Sequence, residues 1–580
     1  MPAEGATSPE GPAVPTAPVA DSVVETLAAA GVREVFSVAG GALTPVLRAL
    51  GAQHTVRYVG VRHEFAAATM AAATYQRTGR LAVCLGEQGP GTLNLISGLG
   101  VARNNNLATV ALTVSGHSQT ARPGSGALME LDAVLASRAV TKWQCAVRRA
   151  DEVVPAVQEA LAQALAGRPG PVHVDIPRDV IAAQAPGPGL LRPTTTDRAE
   201  RVDSGRLDDV VRLLLTAERP LVIAGGGAAH AGAATVLRRI AGHIGAVTTA
   251  TQMGIGVLSS DGPLFAGHGG VIAGPALIRA AQEADVVLAV GCRFSSWWWQ
   301  DGRSLVRDAR LVHIDTDPAA LDASGASPFG LMGDARVILE QIWDRMRDEP
   351  RRPPGSWEHR VRADFVGHRA RLDALAHELA TPAHPAALAR SLGELVNPDD
   401  LVVLDGGHTT FWSNDFTPAL QPRTVFHEPG MGHLGFGMPY ANALAIACPG
   451  RRVLTITGDG AFGFSVAELD TARRLGLRTI TVIHNNALWG VISLAQRHAG
   501  FSLGTDLSGT DYAAVANGFG CLGIRVDDLD ELPAAYEKAL SSPLPAVLDV
   551  AVRFEPHPMM PAFGRTTAAP TGDAVPGSTR

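Results

Sequence analysis

Asp459 lies between two glycines in "GDGAFGFSVAELDTARRLGLRTITVIHNNALWG", residues 458–490, and the asparagine pair Asn485–Asn486 follows one helix and one strand later. A carboxylate and an amide are hard oxygen ligands. They suit Mg2+, which keeps a near-octahedral oxygen shell and shares it with phosphate oxygens. The glycines beside Asp459 let the backbone come close to a phosphate. "RRVLTIT" reads as a buried strand ending at Gly458. Ser465 followed by Glu468 is a capping-box pattern for the next helix, which Gly476 can end. "RTITVIHNN" is then the following strand. In a right-handed crossover the two strands run parallel, so Asp459 and Asn486 are predicted at one carboxyl edge, the edge where open α/β sheets bind ligands. "GDG" alone reads first as a turn; the order GDG, helix, strand, NN is what points to a metal clamp on a diphosphate.

The elements that must position this clamp recur along the chain. "REVFSV", "LAVCL", "ATVALTV" and "GPVHVDI" read as strands, and "FAAATMAAATYQRTG" and "ADEVVPAVQEALAQALAG" as helices. Short β-branched runs alternating with helical segments predict parallel sheets with crossover helices. The pattern falls into three blocks, so the expected fold class is α/β, with three doubly wound domains of mainly parallel sheets. Residues 19–184 form the first. It is followed by the Pro- and Gly-rich linker "APGPGLLRPTTTD". Residues 200–345 form the second, ending near the polar connection "DEPRRPPGSWEHR". Residues 382–555 form the third and carry the clamp. Residues 1–18 read as a disordered tail from their Pro, Ala and Gly content, and 556–580 as a poorly patterned tail.

Bulk properties narrow the function classes. The 580 residues exceed what one hydrophobic core serves. A net charge of −7, with both signs scattered, suits neither a nucleic-acid nor a membrane-surface protein. No apolar run approaches the length of a membrane span, and the N-terminus lacks the basic start and apolar block of a secretory leader. The five cysteines are widely spaced without C-x-x-C pairs, which predicts a reducing, cytoplasmic setting.

With GDG and NN at this spacing, the chain resembles the thiamine-diphosphate-dependent enzymes, and within them the acetohydroxyacid (acetolactate) synthase-like branch. The resemblance implies a pyrimidine-binding first domain, a central domain and a diphosphate-binding third domain. It implies thiamine diphosphate and Mg2+ as cofactors, with the metal held by Asp459, Asn486 and the backbone oxygen of Leu488, and Gly460 and Ala461 beside the diphosphate. Glu64 in "RHEFAAATMAAATYQRTG", followed by "GEQGPGTLNLISGL", takes the place of the glutamate that hydrogen-bonds the cofactor pyrimidine. By position alone Glu64 reads as an acidic residue of a first helical turn. In "HEPGMGHLGFGMPYANALA", the resemblance makes Leu434 the wedge between the cofactor rings and the Gly432 carbonyl an acceptor for the 4′-amino group. His408 and Thr409 of "LDGGHTTFW" fall where the family contacts the diphosphate. Glutamate and clamp come from different subunits in this family, which implies a homodimer or homotetramer.

The reaction implied is decarboxylation of a 2-oxo acid, with pyruvate as the first choice, and transfer of the acyl-carbanion unit to a second carbonyl. A non-ligating decarboxylase and a 2-hydroxyacyl-CoA lyase-like enzyme are the alternatives. Three departures bear on the choice: Leu128-Met129-Glu130 where the synthases carry FQE, His117 where they carry glutamine, and "RFSSWWWQDGR" where they carry RFDDR. In the middle block "AGGGA", "TQMGIG", "GHGG" and "HIDTDP" resemble a flavin-binding domain, which makes FAD a further candidate cofactor. Trp297, Trp298 and Trp299 read as packing residues.

Overall fold

The structure, a computed structural model, describes residues 16–560 except 121–123, 187–201, 271–272, 295–305, 307, 324–328 and 379–380. The three tryptophans 297–299 lie outside the described residues. Two compact units are present, one of residues 1–75 and 80–196, the other of 76–79 and 197–580.

The first unit holds a six-stranded sheet. Its strands lie in the spatial order Arg57–Gly60, Glu34–Ser37, Val83–Glu87, Thr109–Ser115, Pro171–Pro177, Trp143–Ala146, with every pairing parallel. Counted along the chain, the order is 2-1-3-4-6-5. The helix Glu64–Thr78 is buried on all sides from Phe65 to Tyr75, as its Ala-rich, weakly amphipathic sequence requires. Close packing holds it: a side chain at Gly98 would come within 2.7 Å of Ala68 Cβ and 2.8 Å of the Phe65 carbonyl. The first turn is capped by His63, whose Nδ1 accepts the Phe65 N–H at 3.1 Å.

The second unit carries two further six-stranded parallel sheets. The central one has the order Phe265–His268, Val247–Ala250, Pro220–Ala224, Val286–Val290, Arg310–Asp315, Phe329–Met332, or 3-2-1-4-5-6. The last one runs Val425–Phe426, Leu401–Leu404, Val453–Gly458, Thr479–Asn485, Ala546–Ala551, Leu522–Val526. That is 2-1-3-4-6-5 again, so the first and last sheets share one topology although no repeat is visible in the sequence. The three-sheet α/β architecture is as expected from the alternating pattern.

Several local expectations need correction. Residues 16–18, assigned to the tail, form a strand paired antiparallel with Gln184–Pro186. Residues 556–560, assigned to the second tail, include the buried His557 and Met560; His557 Nε2 lies 2.9 Å from Asp415. Between the second and third blocks stands a 21-residue helix, Ser356–Ala376, where a polar connection was expected. Its mixed polarity hides the period, because only a few positions (Trp357, Glu358, Val361, His368, Leu372, Ala376) are buried. The helix after "GDG" starts at Glu468 with Ala467 before it and no side-chain cap. Ser465 contributes its carbonyl to the Glu468 N–H, and Glu468 instead accepts from Thr471 Oγ1 at 2.6 Å. Gly476 ends that helix as expected, at φ +63°.

Candidate active site

The strands Val453–Gly458 and Thr479–Asn485 are adjacent and parallel, with Gly458 opposite His484. The chain therefore leaves both strands at the same edge, and Asp459 and Asn486 emerge there within one residue of each strand end. The Ala487 N–H lies near enough to the Asp459 carboxylate to favour its charged form, so the two segments lie close together at this edge. Ala487 has φ +53°, a left-handed conformation that costs a non-glycine residue about 1–2 kcal/mol. Asn486 Oδ1 accepts the Leu488 N–H at 3.1 Å. The neighbouring bridge uses the carbonyls of Ala487 and Thr505, not that of Leu488.

Burial pushes the Asp459 carboxyl up to about 6, and N–H groups of Gly460 and Ala487 offset part of this. The donor set expected for a metal here is one carboxylate, one amide oxygen and one peptide oxygen. Among the described residues no group of three or more His, Cys, Asp or Glu could hold a metal. A single-carboxylate set fits Mg2+ only if another anion completes the shell, and a diphosphate does so. The glycines make the room: a side chain at Gly460 would meet the Trp489 ring at 2.5 Å, and one at Gly458 would meet Thr409 Oγ1 at 3.0 Å. Ala461 is buried in the short turn of helix that follows.

Three buried carboxylates, none singled out in the sequence, hold the surrounding loops. Asp405 accepts N–H groups from Gly435 at 3.2 Å and Gly437 at 3.0 Å. Glu428 accepts those of Met431 at 2.6 Å and His433 at 2.8 Å, bracketing Gly432, which has φ +65°. Leu434, half-buried, lies between these two anchored turns. Asp549 accepts from Asn485 Nδ2 at 2.9 Å and the Tyr512 N–H at 2.8 Å and pairs with Arg525 at 3.1 Å; the Tyr512 hydroxyl then donates to the Asp459 carbonyl at 3.0 Å. The one signal in the sequence was an aspartate inside the apolar strand "PAVLDVAV".

Burial pushes the Asp405 carboxyl up to about 6. A value raised above the unfolded one favours the protonated folded form. The stability contributed by Asp405 is therefore full below about pH 4 and is lost as pH rises through 6. At 1.36 kcal/mol per pH unit, this amounts to about 3 kcal/mol. Asp405→Asn is expected to flatten that part of the slope in denaturant titrations of the apoprotein between pH 4 and 7, and to lower stability at pH 5, where its NH2 group would face an N–H donor.

His408 donates Nε2–H to the Glu555 carbonyl at 2.6 Å, and its ring packs on Phe554. Burial pushes its ring down to about 4. The imidazole is neutral with its one N–H committed, so it has no ring donor for a phosphate; its backbone N–H, in the first turn of the helix His408–Phe416, is the group oriented to serve. Thr409 Oγ1 lies against Gly458.

In the first unit, Glu64 Oε2 accepts from Asn94 Nδ2 at 2.9 Å, and Oε1 faces Gly91, where a Cβ would lie 3.2 Å away. "GPGTLN" thus has a local reason: its glycine leaves room for the glutamate and its asparagine orients it. Of the departures, Glu130 folds onto the N–H groups of Gly124 and Gly126, the first of which does most to hold its carboxyl below the usual range. Met129 has φ +58° and Leu128 is 83 % exposed. His117 stands 3.7 Å from Asp179.

The comparisons give the class of this three-sheet α/β chain. Residues 18–136, 207–342 and 405–550 match, in order, the families described as thiamine pyrophosphate enzyme N-terminal TPP binding domain, central domain and C-terminal TPP binding domain. The chain is 31 % identical to the acetolactate synthase isozyme 2 large subunit of Escherichia coli K12, covering 91 % of this chain and 94 % of that protein. It is 29 % identical to a probable acetolactate synthase large subunit of Methanocaldococcus jannaschii, with 94 % of each covered. Against a probable chloroplastic acetolactate synthase 2 of rice, Oryza sativa subsp. japonica, identity is 31 % over 94 % of this chain and 85 % of that protein. The chain belongs to the thiamine-diphosphate-dependent enzymes, in their acetolactate synthase-like branch. No described helix is long and apolar enough to cross a membrane.

Proposed function

We propose that this enzyme is a carboligase, which decarboxylates a 2-oxo acid, pyruvate first, and joins the remaining acyl-carbanion unit to a second carbonyl. The observation that carries the proposal is the parallel pairing of Val453–Gly458 with Thr479–Asn485, which ends the GDG and NN segments at one sheet edge. When bound, thiamine diphosphate supplies an acidic thiazolium carbon that adds to the 2-oxo acid and an electron sink for the pair left by CO2. Asp459, Asn486 and the Leu488 carbonyl would hold Mg2+ against the diphosphate, with Gly460, Ala461, Thr409 and the His408 N–H lining it. Leu434 would wedge the cofactor rings apart, and the Gly432 carbonyl would accept from the 4′-amino group. Glu64 would share a proton with the pyrimidine N1′, oriented by Asn94.

The assembly in this proposal is a homodimer or a pair of them, Glu64 of one copy serving the clamp of another. Exposed apolar residues next to each half support it: Leu93 and Met129 near Glu64, and Phe464, Ile492 and Leu503 near the clamp. A fully active monomer in a sedimentation run would exclude it. A flavin is supported by the 3-2-1-4-5-6 order of the central sheet, which dinucleotide-binding folds use. The run Gly225–Gly227 adds nothing, because side chains at Gly225 and Gly227 would collide with the backbone at Gly291 and one at Gly226 would meet the Met253 side chain; visible absorption of the purified protein tests the flavin directly. The carboligase is tested by supplying Mg2+, thiamine diphosphate and a panel of 2-oxo acids, then identifying products. Aldehyde as the sole product with every acceptor offered would favour a non-ligating decarboxylase, and cleavage of a 2-hydroxyacyl thioester would favour the lyase.

A further inference from the structure

Glu87 ends the third strand of the 2-1-3-4-6-5 sheet, and the loop 38–42 follows the first strand, its neighbour. The chain order reverses between these two strands, and open sheets take their ligands at such a switch point. In the last sheet, which has the same order, that place holds Asp405–Gly407 and Gly458–Asp459. In the first sheet it holds Glu87.

The carboxyl is placed with care. Oε1 accepts the Ala42 N–H at 2.7 Å. Gly40 leaves the space for the rest of the group, since a Cβ there would overlap the carboxylate. On its other side Gly91 separates it from Glu64: a Cβ at Gly91 would lie 3.2 Å from Glu64 Oε1 and 3.4 Å from Glu87 Cβ. Glu87 also lines a cavity of about 820 Å3 with Gly41, Ala42, Gln88, His117 and Met129. Among the described residues, Oε2 takes no hydrogen bond and Glu87 makes no ion pair. The other charged groups of the cavity are Arg48, paired with Asp21 at 2.8 Å, Asp179, which faces His117, and Arg178. One oxygen is therefore anchored and the other is left for a ligand, one glycine away from Glu64.

We propose that Glu87 is a second proton-transferring carboxyl of the active site, giving its proton to the carbonyl oxygen of an acceptor held in this cavity. The inference rests on the carboligase reading above. As the donor-derived carbon uses its electron pair to bond the acceptor carbon, the C=O π pair moves to oxygen, and that oxygen takes the Glu87 proton. On release, the donor-derived hydroxyl returns its proton to the Glu87 carboxylate as its carbonyl reforms; thiamine diphosphate, when bound, would take up the electron pair freed at that carbon. The residue ends as it began, and no further reagent is needed.

An anchoring role alone would be kept by Glu87→Gln, whose amide oxygen can still accept the Ala42 N–H. The test compares wild type, Glu87→Gln and Glu87→Asp in thiamine diphosphate affinity, followed by tryptophan fluorescence, and in ligated product formed per CO2 released. Glu87→Gln is expected to bind the cofactor within about twofold of wild type. Its ligated product per CO2 should fall at least about tenfold, the lower end of what a positioned acid contributes being larger still, with aldehyde making up the difference. Glu87→Asp, still an acid, should recover part of the ratio. A wild-type ratio in Glu87→Gln overturns the proposal, as does a parallel loss of cofactor affinity, which would mark a purely structural anchor. A wild-type enzyme that releases CO2 but ligates nothing overturns the carboligase reading itself, before any variant is compared.

Discussion

Asp459→Ala is expected to yield a folded protein that no longer retains thiamine diphosphate. In the proposed clamp Asp459 would be the one anionic protein ligand, and removing one side of a buried charge pair costs about 3–5 kcal/mol, or roughly a 100- to 4,000-fold loss of affinity. Calorimetric titration of the apoprotein with Mg2+ and the diphosphate measures this directly. The apoprotein itself should melt close to wild type. Above pH 7 the wild-type carboxyl, pushed up to about 6 by burial, is ionised at a cost, and alanine removes that cost while giving up the favourable field of the Gly460 and Ala487 N–H groups. Undiminished cofactor binding by the variant would remove the metal clamp from the mechanism.

Glu64→Gln is expected to separate binding from turnover. The amide can still accept from Asn94 through its oxygen, so the loop and the cofactor affinity should be kept. It cannot share a proton with the pyrimidine nitrogen, and CO2 release should fall by about 10²- to 10⁴-fold, the contribution of a positioned acid or base. Burst and steady-state measurements at saturating cofactor give the number. A variant that turns over at the wild-type rate would return Glu64 to the bland role of an acidic residue in a first helical turn. Together the two variants assign the half-sites separately: mixing Asp459→Ala and Glu64→Gln protein should restore some activity if each site is built from two copies, because one of the hybrid sites then carries both intact halves.

Much of this was legible before any coordinates. The strand–helix alternation encodes the α/β class because periodicity is a local property, readable within a dozen residues. That Asp459 and Asn486 leave the sheet at one edge was legible for a related reason: two parallel strands joined by one helix leave little choice about where their ends emerge. Gly476 could be read as a helix end, since its left-handed conformation depends on its neighbours alone.

Other features exist only once the chain is folded. Asp405, Glu428 and Asp549 are ordinary acids in the sequence; they acquire roles from backbone N–H groups that the fold brings to them. Asn94 matters because a helix 30 residues away from Glu64 returns to the same edge. Ser465 had the right spacing for a cap, but the chain turned one residue pair later and left Ala467 in that place. The shared strand order of the first and last sheets left no trace in the residues, because topology constrains burial and length, not identity. By itself the sequence determined the alternation of strands and helices and that Asp459 and Asn486 leave the sheet at one edge, since both follow from short-range patterns. The tertiary structure decided which carboxylates hold the loops, which glycines make room for a neighbour, and that Glu87 stands at a switch point, since each of these depends on contacts between segments far apart along the chain.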